Sequence, residues 1–146
     1  MTKQRAKATW LQNTNIARTN FINYKLDPSH TIELKLLKKR IQVIWNDTLV
    51  ANSHNCIQMS EKNHAAMIYF PREDTYDELF SSSNKATYCP YKGDAAYWSL
   101  HTDTEKAENS VWSYPTPVHT LLPIMNYRAF YLDSMGATFS LKLNII

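Results

Sequence analysis

What most constrains the fold of this chain is a succession of short segments in which apolar and polar residues alternate, with turn formers between them. The clearest is Arg40-Ile41-Gln42-Val43-Ile44-Trp45, which alternates apart from Ile44 and sets Ile41, Val43 and Trp45 on one face. Successive side chains of a strand point to opposite faces, so this spacing predicts a strand with one buried side. Asn46-Asp47 is a turn pair, and Thr48-Leu49-Val50-Ala51 returns as the partner strand of a hairpin.

Further extended segments are predicted at 31–36, 55–59, 65–70, 88–91, 95–100, 108–114, 127–132 and 137–145. Pro71 stops 65–70, and Pro115 and Pro117 end 108–114, because proline has no N–H to give to a ladder. Residues 74–80 read as a short helical turn, with Asp74 as its N-cap and Asp77 and Glu78 in the first turn, where acids are favoured. Ser81-Ser82-Ser83-Asn84 reads as a loop, and Lys92-Gly93-Asp94 as the turn between two strands. There is no heptad, internal repeat or low-complexity tract. The expected fold is mainly β: a small barrel or a pair of packed sheets of short antiparallel strands, with one or two helical turns.

At 146 residues the chain is sized for one domain. A chain of this length buries roughly 68–70 % of its unfolded surface, enough for a core without disulfide staples. Two glycines leave no room for a Gly-rich phosphate loop. Cys56 and Cys89 make no C-x-x-C pair and are read as reduced thiols of a cytoplasmic protein. A four-cysteine zinc site is excluded by number. No apolar run approaches the ~18 residues that span a bilayer, and the start MTKQRAKATWLQNTN lacks the apolar stretch of a secretory signal. Histidines 30, 54, 64, 101 and 119 show no metal-ligand spacing, and no Gly-x-Ser-x-Gly elbow or dinucleotide fingerprint is present. No metal is predicted, and no cofactor is named by these residues.

The formal charge of +3 is unevenly spread. Residues 1–40 hold nine Lys/Arg and two acids, net +7, and 41–146 hold seven and eleven, net −4. Residues 1–24 read as a basic arm ahead of a single β domain over 25–146. Such an arm suits a nucleic-acid or anionic-surface contact, but a solvated extension is the simpler reading, so nucleic acid is disfavoured as the partner.

Three segments concentrate chemistry. In Tyr69-Phe70-Pro71-Arg72-Glu73-Asp74 a strand ends and three charges follow at once. Arg72 there presents a bidentate fork suited to an anion, with Glu73 or Asp74 to hold a proton or orient the guanidinium. A solvated turn with a local ion pair is the bland alternative. The stretch Thr87-Tyr88-Cys89-Pro90-Tyr91-Lys92-Gly93-Asp94-Ala95-Ala96-Tyr97-Trp98-Ser99 packs a thiol, an ammonium, a carboxylate and four large aromatics into thirteen positions. If 88–92 is extended, Cys89 and Tyr91 share one face and Tyr88, Pro90 and Lys92 the other. Cys89 is a nucleophile only where its thiolate is stabilised, and is otherwise a small apolar residue. In Val111-Trp112-Ser113-Tyr114-Pro115-Thr116-Pro117, alternation puts Trp112 and Tyr114 on one face, ahead of a rigid turn.

These segments, in this order, resemble the family catalogued as domain of unknown function 427. The strings that carry the resemblance are Tyr69-Phe70-Pro71-Arg72-Glu73-Asp74, Cys89-Pro90-Tyr91-Lys92-Gly93-Asp94-Ala95 with Tyr97-Trp98-Ser99, Trp112-Ser113-Tyr114-Pro115, and Ala129-Phe130-Tyr131. The resemblance covers roughly residues 40–133 and leaves the basic arm outside. It implies a compact β domain of the β-tent or barrel kind. The family is sometimes labelled nucleotidyltransferase-like, yet this chain lacks the Gly-Ser plus Asp-x-Asp arrangement that holds metal and triphosphate in the usual transferases.

The leading expectation is a domain binding a small anionic molecule. Its pocket would be walled by Tyr91, Trp98, Trp112 and Tyr114, with Arg72 and Lys92 meeting the anionic group. The alternatives are an enzyme using the same pocket, with Cys89 or Lys92 as nucleophile and Glu73 or Asp94 as acid/base, and a protein or nucleic-acid contact through the arm.

Overall fold

The structure, a computed structural model, describes residues 28–132 and 141–145. The strands are β1 (Ile32–Leu36), β2 (Ile41–Trp45), β3 (Thr48–Ser53), β4 (Ile57–Glu61), β5 (Met67–Tyr69), β6 (Phe80–Cys89), β7 (Gly93–His101), β8 (Lys106–Pro117), β9 (Ala129–Phe130) and β10 (Leu141–Ile145). Three short 3-10 turns, Arg72–Asp74, Asp77–Leu79 and His119–Ile124, punctuate them. The expected arm over 1–24 lies outside the described residues. Among those described, no helix is long and apolar enough to cross a membrane.

The fold is mainly β, and every ladder is antiparallel. The strands form three sheets, ordered β1-β4-β5, β10-β2-β3 and β6-β7-β8-β9. No closed barrel is found among the described strands. The β2–β3 hairpin turns at Asn46 and Asp47, with φ of 48° and 63°. Positive φ at both central residues is what a primed two-residue turn requires, and Asn and Asp tolerate it. Ile41, Val43 and Trp45 are buried on one face, as their spacing predicts.

Two short links hold the sheets together. Phe70 and Arg128 exchange both backbone hydrogen bonds, each 2.8 Å, and so join the end of β5 to the start of β9. Thr75 bridges Ala51, and the Tyr76 N–H donates to the Val50 carbonyl at 3.0 Å, pinning the 3-10 segment to β3.

The β6-β7-β8-β9 sheet is covered on both faces. On one, Trp98, Leu100, Val111 and Phe130 pack with Ile41, Val43 and Val50 of the β2–β3 hairpin. On the other, Tyr97, Trp112 and Ala129 pack with Ile57, Met59 and Tyr69 of β4 and β5. That double burial explains why this stretch of sequence shows runs of apolar and aromatic residues rather than clean alternation.

Several local expectations are corrected. Ser81-Ser82-Ser83-Asn84 is not a loop but part of β6, which absorbs an irregularity between Ser82 and Ala86. Residues 88–91 do not form one extended run, because β6 ends at Cys89 and the turn lies two residues earlier than expected. β8 runs through Pro115, where Tyr114 and Pro115 lie in a bulge between the Ala96–Ser113 and Asp94–Thr116 pairs, a place that needs no proline N–H. Asp74 caps no helix, and its carboxylate accepts from the Ser53 hydroxyl at 2.6 Å instead.

Candidate functional site

The connection from β6 to β7 is built by Cys89-Pro90-Tyr91-Lys92-Gly93. The Lys92 N–H donates to the Cys89 carbonyl at 3.0 Å, and Pro90 at the second position presets the φ that such a turn needs. Gly93 has φ of 119°, and a Cβ there would come within 2.9 Å of the Thr116 carbonyl oxygen. Only glycine fits both conditions. The Val118 N–H donates to the Lys92 carbonyl at 2.9 Å, so the Lys92 backbone is fastened on both sides. Its side chain reaches across to the end of β4, where Nζ donates to Glu61 Oε1 at 2.6 Å. The two side chains are only 16 % and 8 % exposed.

Around this pair lies a group of aromatic residues. Paired residues of neighbouring strands share a face, so Thr87 and Cys89 of β6, Ala95 and Tyr97 of β7 and Trp112 of β8 all project to the same side. Tyr114, past the bulge, packs with them against Tyr69. The Trp112 indole N–H donates to the Tyr69 hydroxyl at 3.2 Å. Thr87 and Tyr97 share a hydrogen bond of 2.9 Å between their hydroxyls, and Tyr97 also bonds Tyr131. Trp112 stacks 4.3 Å from Tyr131, and Lys85 Nζ lies 4.6 Å from the Tyr97 ring centre. Burial pushes the Tyr69 phenol well above its ordinary value, and the negative charge of Glu61 adds to the shift. Tyr114 rises in the same way, with Tyr69, Cys89 and Glu61 contributing after burial. The Tyr131 phenol is pushed up to about 12. These phenols therefore stay protonated at neutral pH, and each keeps an O–H able to donate.

Trp98 follows Tyr97 and so faces the opposite side of β7. There it meets the guanidiniums of Arg72 and Arg128, at 5.6 and 4.7 Å from its ring centre. The residues expected in one site are thus divided by β7. Cys89, Lys92, Trp112 and Tyr114 come together on the Tyr97 face, with Tyr91 half-buried at the turn. Arg72 and Trp98 lie on the other face. Glu73 is exposed in the Arg72–Asp74 turn, and Asp94 is exposed on β7 between Tyr88 and Thr116.

The carboxylate at Lys92 is Glu61, which sequence reasoning did not single out. It ends a strand before Lys62 and Asn63 and reads there like any charged turn residue. Arg128 was missed for a similar reason, since it sits at the edge of a segment that looks simply extended. Among the described residues no group of three or more His, Cys, Asp or Glu is placed to hold a metal ion.

The model of a family described as a domain of unknown function (DUF427) matches residues 33–140. The chain belongs to that family. The domain of unknown function 427 takes in both faces of β7, including Glu61, Lys92, Arg72 and Arg128, and leaves residues 1–32 outside. Among curated proteins nothing matches the chain.

Proposed function

We propose that this chain is a small-molecule binding domain whose ligand offers an anionic group to Lys92 within the tyrosine cluster. The observation that carries the reading is the Lys92–Glu61 pair, buried among protonated phenols. Taking two charges out of water costs several kcal/mol per ion, and well-packed apolar residues of similar volume are commonly as stable or more so. Stability alone therefore does not call for this pair. The Lys92 ammonium has three donors, of which Glu61 takes one, and the neighbouring phenols add more. A site so rich in donors within aromatic walls suits a ligand rich in acceptors, such as a carboxylate or phosphate ester.

In this reading Tyr91, Trp112 and Tyr114 keep their expected part in the wall, joined by Tyr69, Tyr97 and Tyr131. The first and third sheets, linked through Phe70 and Arg128, lean together over the cluster as a β-tent. A cytoplasmic location is supported by the two free thiols, Cys56 and Cys89.

The test is a thermal-shift screen of the full chain against nucleotides, sugar phosphates, carboxylates and divalent metals. A ligand that prefers the folded state raises Tm by mass action. At least one anionic class is expected to do so, with the shift lost in Lys92→Met and reduced in Tyr114→Phe. A flat screen, or an undiminished shift in Lys92→Met, would refute the site.

A further inference from the structure

On the Trp98 face of β7 two guanidiniums are gathered on one carboxylate. Arg128 is 0 % exposed, yet it is fixed by packing on every side. Its Nη1 donates to Thr75 Oγ1 at 2.7 Å and its Nη2 to Asp77 Oδ1 at 2.8 Å. Its buried Nε has no hydrogen-bond partner. The guanidinium carbon lies 4.1 Å from the Phe80 ring centre and 4.7 Å from that of Trp98. Arg72 brings a second guanidinium to the same indole, and its Nη2 stands 3.7 Å from the same Asp77 oxygen, too far for a good hydrogen bond.

Two cations therefore share one carboxylate oxygen, and that carboxylate belongs to a 65 % exposed residue on a three-residue turn. These three side chains carry +1 between them, with the acids Glu73, Asp74 and Glu78 beside them in the chain. A buried guanidinium with an unsatisfied N–H is costly, and an apolar side chain would fill the same space without that cost. The planar fork of arginine is the group best matched to the two oxygens of a carboxylate or phosphate, and an indole face holds guanidiniums by cation–π attraction.

We infer that Arg72, Arg128 and Trp98 form a second ligand site, on the opposite side of β7 from the tyrosine cluster, which takes an oxyanion of the carboxylate or phosphate kind. Asp77 occupies the place of that oxyanion in the free protein. An incoming oxyanion displaces the Asp77 carboxylate from Arg128 and meets Arg72 at the same time. The exposed position of the turn Asp77–Leu79 gives Asp77 room to leave.

The experiment follows the arginine side-chain N–H signals of the isotope-labelled full chain by NMR, at constant ionic strength. Inorganic phosphate is titrated in one arm and acetate in the other. The expected result is a saturable shift at Arg72 and Arg128 in at least one arm, and the arm that saturates names the class. Loss of one charged competitor should tighten binding about tenfold in Asp77→Asn, and Arg72→Ala should abolish saturation. Both substitutions are at exposed positions and leave the core intact. Because the Arg72 and Arg128 signals are read apart from that of Arg40, which bonds Asn52 elsewhere, the outcome is independent of whether the Lys92→Met thermal shift succeeds or fails. The inference is overturned if neither anion saturates in the wild type and in Asp77→Asn, or if all arginine signals move together.

Discussion

Asp77 shows how one residue's ionisation is set by what it touches. The hydrogen bond from Arg128, helped by the charges of Arg128 and Arg72, holds its carboxyl below the usual 3.8. A carboxyl depressed in the folded state contributes stability above its unfolded value, and that contribution is lost as pH falls through the folded value. Tm is accordingly expected to fall below about pH 4 with a steeper acid limb in the wild type than in Asp77→Asn. Because Asp77 is largely exposed, the difference is small, a few degrees at most on the order of a surface pair. Identical acid limbs in differential scanning calorimetry would show that Arg128 does not depend on this carboxylate. At this scale the sequence pointed to half of each contact. Cys89, Lys92, Trp112 and Tyr114 could be picked out because unusual residue types crowd within few positions. Glu61 and Arg128 could not, since what makes them matter is a neighbour 31 or 51 residues away, brought close by strand pairing.

Among the elements, the β6–β7 turn carries the sharpest constraint. Gly93→Ala places a Cβ against the Thr116 carbonyl and forces a non-glycine residue into an unfavourable φ. The expected cost is ~1–3 kcal/mol, read as a lower urea midpoint with an unchanged slope. The ligand response assigned to Lys92 should weaken with it, because Gly93 fixes the neighbouring backbone. A midpoint equal to wild type would mean that the turn relaxes freely and does not set Lys92. The elements themselves were largely legible. The hairpin of β2 and β3 follows from clean alternation around Asn46-Asp47. By contrast, the serine-rich start of β6 looked like a loop because its residues are small and polar, and pairing with β7 overrides that preference. β8 was cut short at Pro115 because a bulge is a property of two strands and leaves no mark on either alone.

For the molecule as a whole, mainly β character and the antiparallel habit of short strands were readable, while the division into three open sheets was not. Which strands pair at a distance depends on burial on both sides of β7, and a single sequence does not display that. The burial itself has a measurable signature. Tyr69, Tyr114 and Tyr131 have folded values raised above the ordinary 10. A group raised on folding contributes fully below its unfolded value and loses that contribution as pH rises through the folded one. Tm should therefore be steady up to about pH 10 and fall beyond it. Tyrosinate absorbance should appear in two phases, the later one coinciding with loss of the folded state. A single phase near pH 10 in the folded protein would contradict the burial described here.

Tyr97 and Trp98 are consecutive in β7. One peptide plane is all that separates the phenol-lined side of the sheet from the guanidinium-lined side. A slip of β7 by a single residue would carry each ring to the other side of the sheet, so the register of β7 with β6 and β8 is what keeps the two surroundings apart.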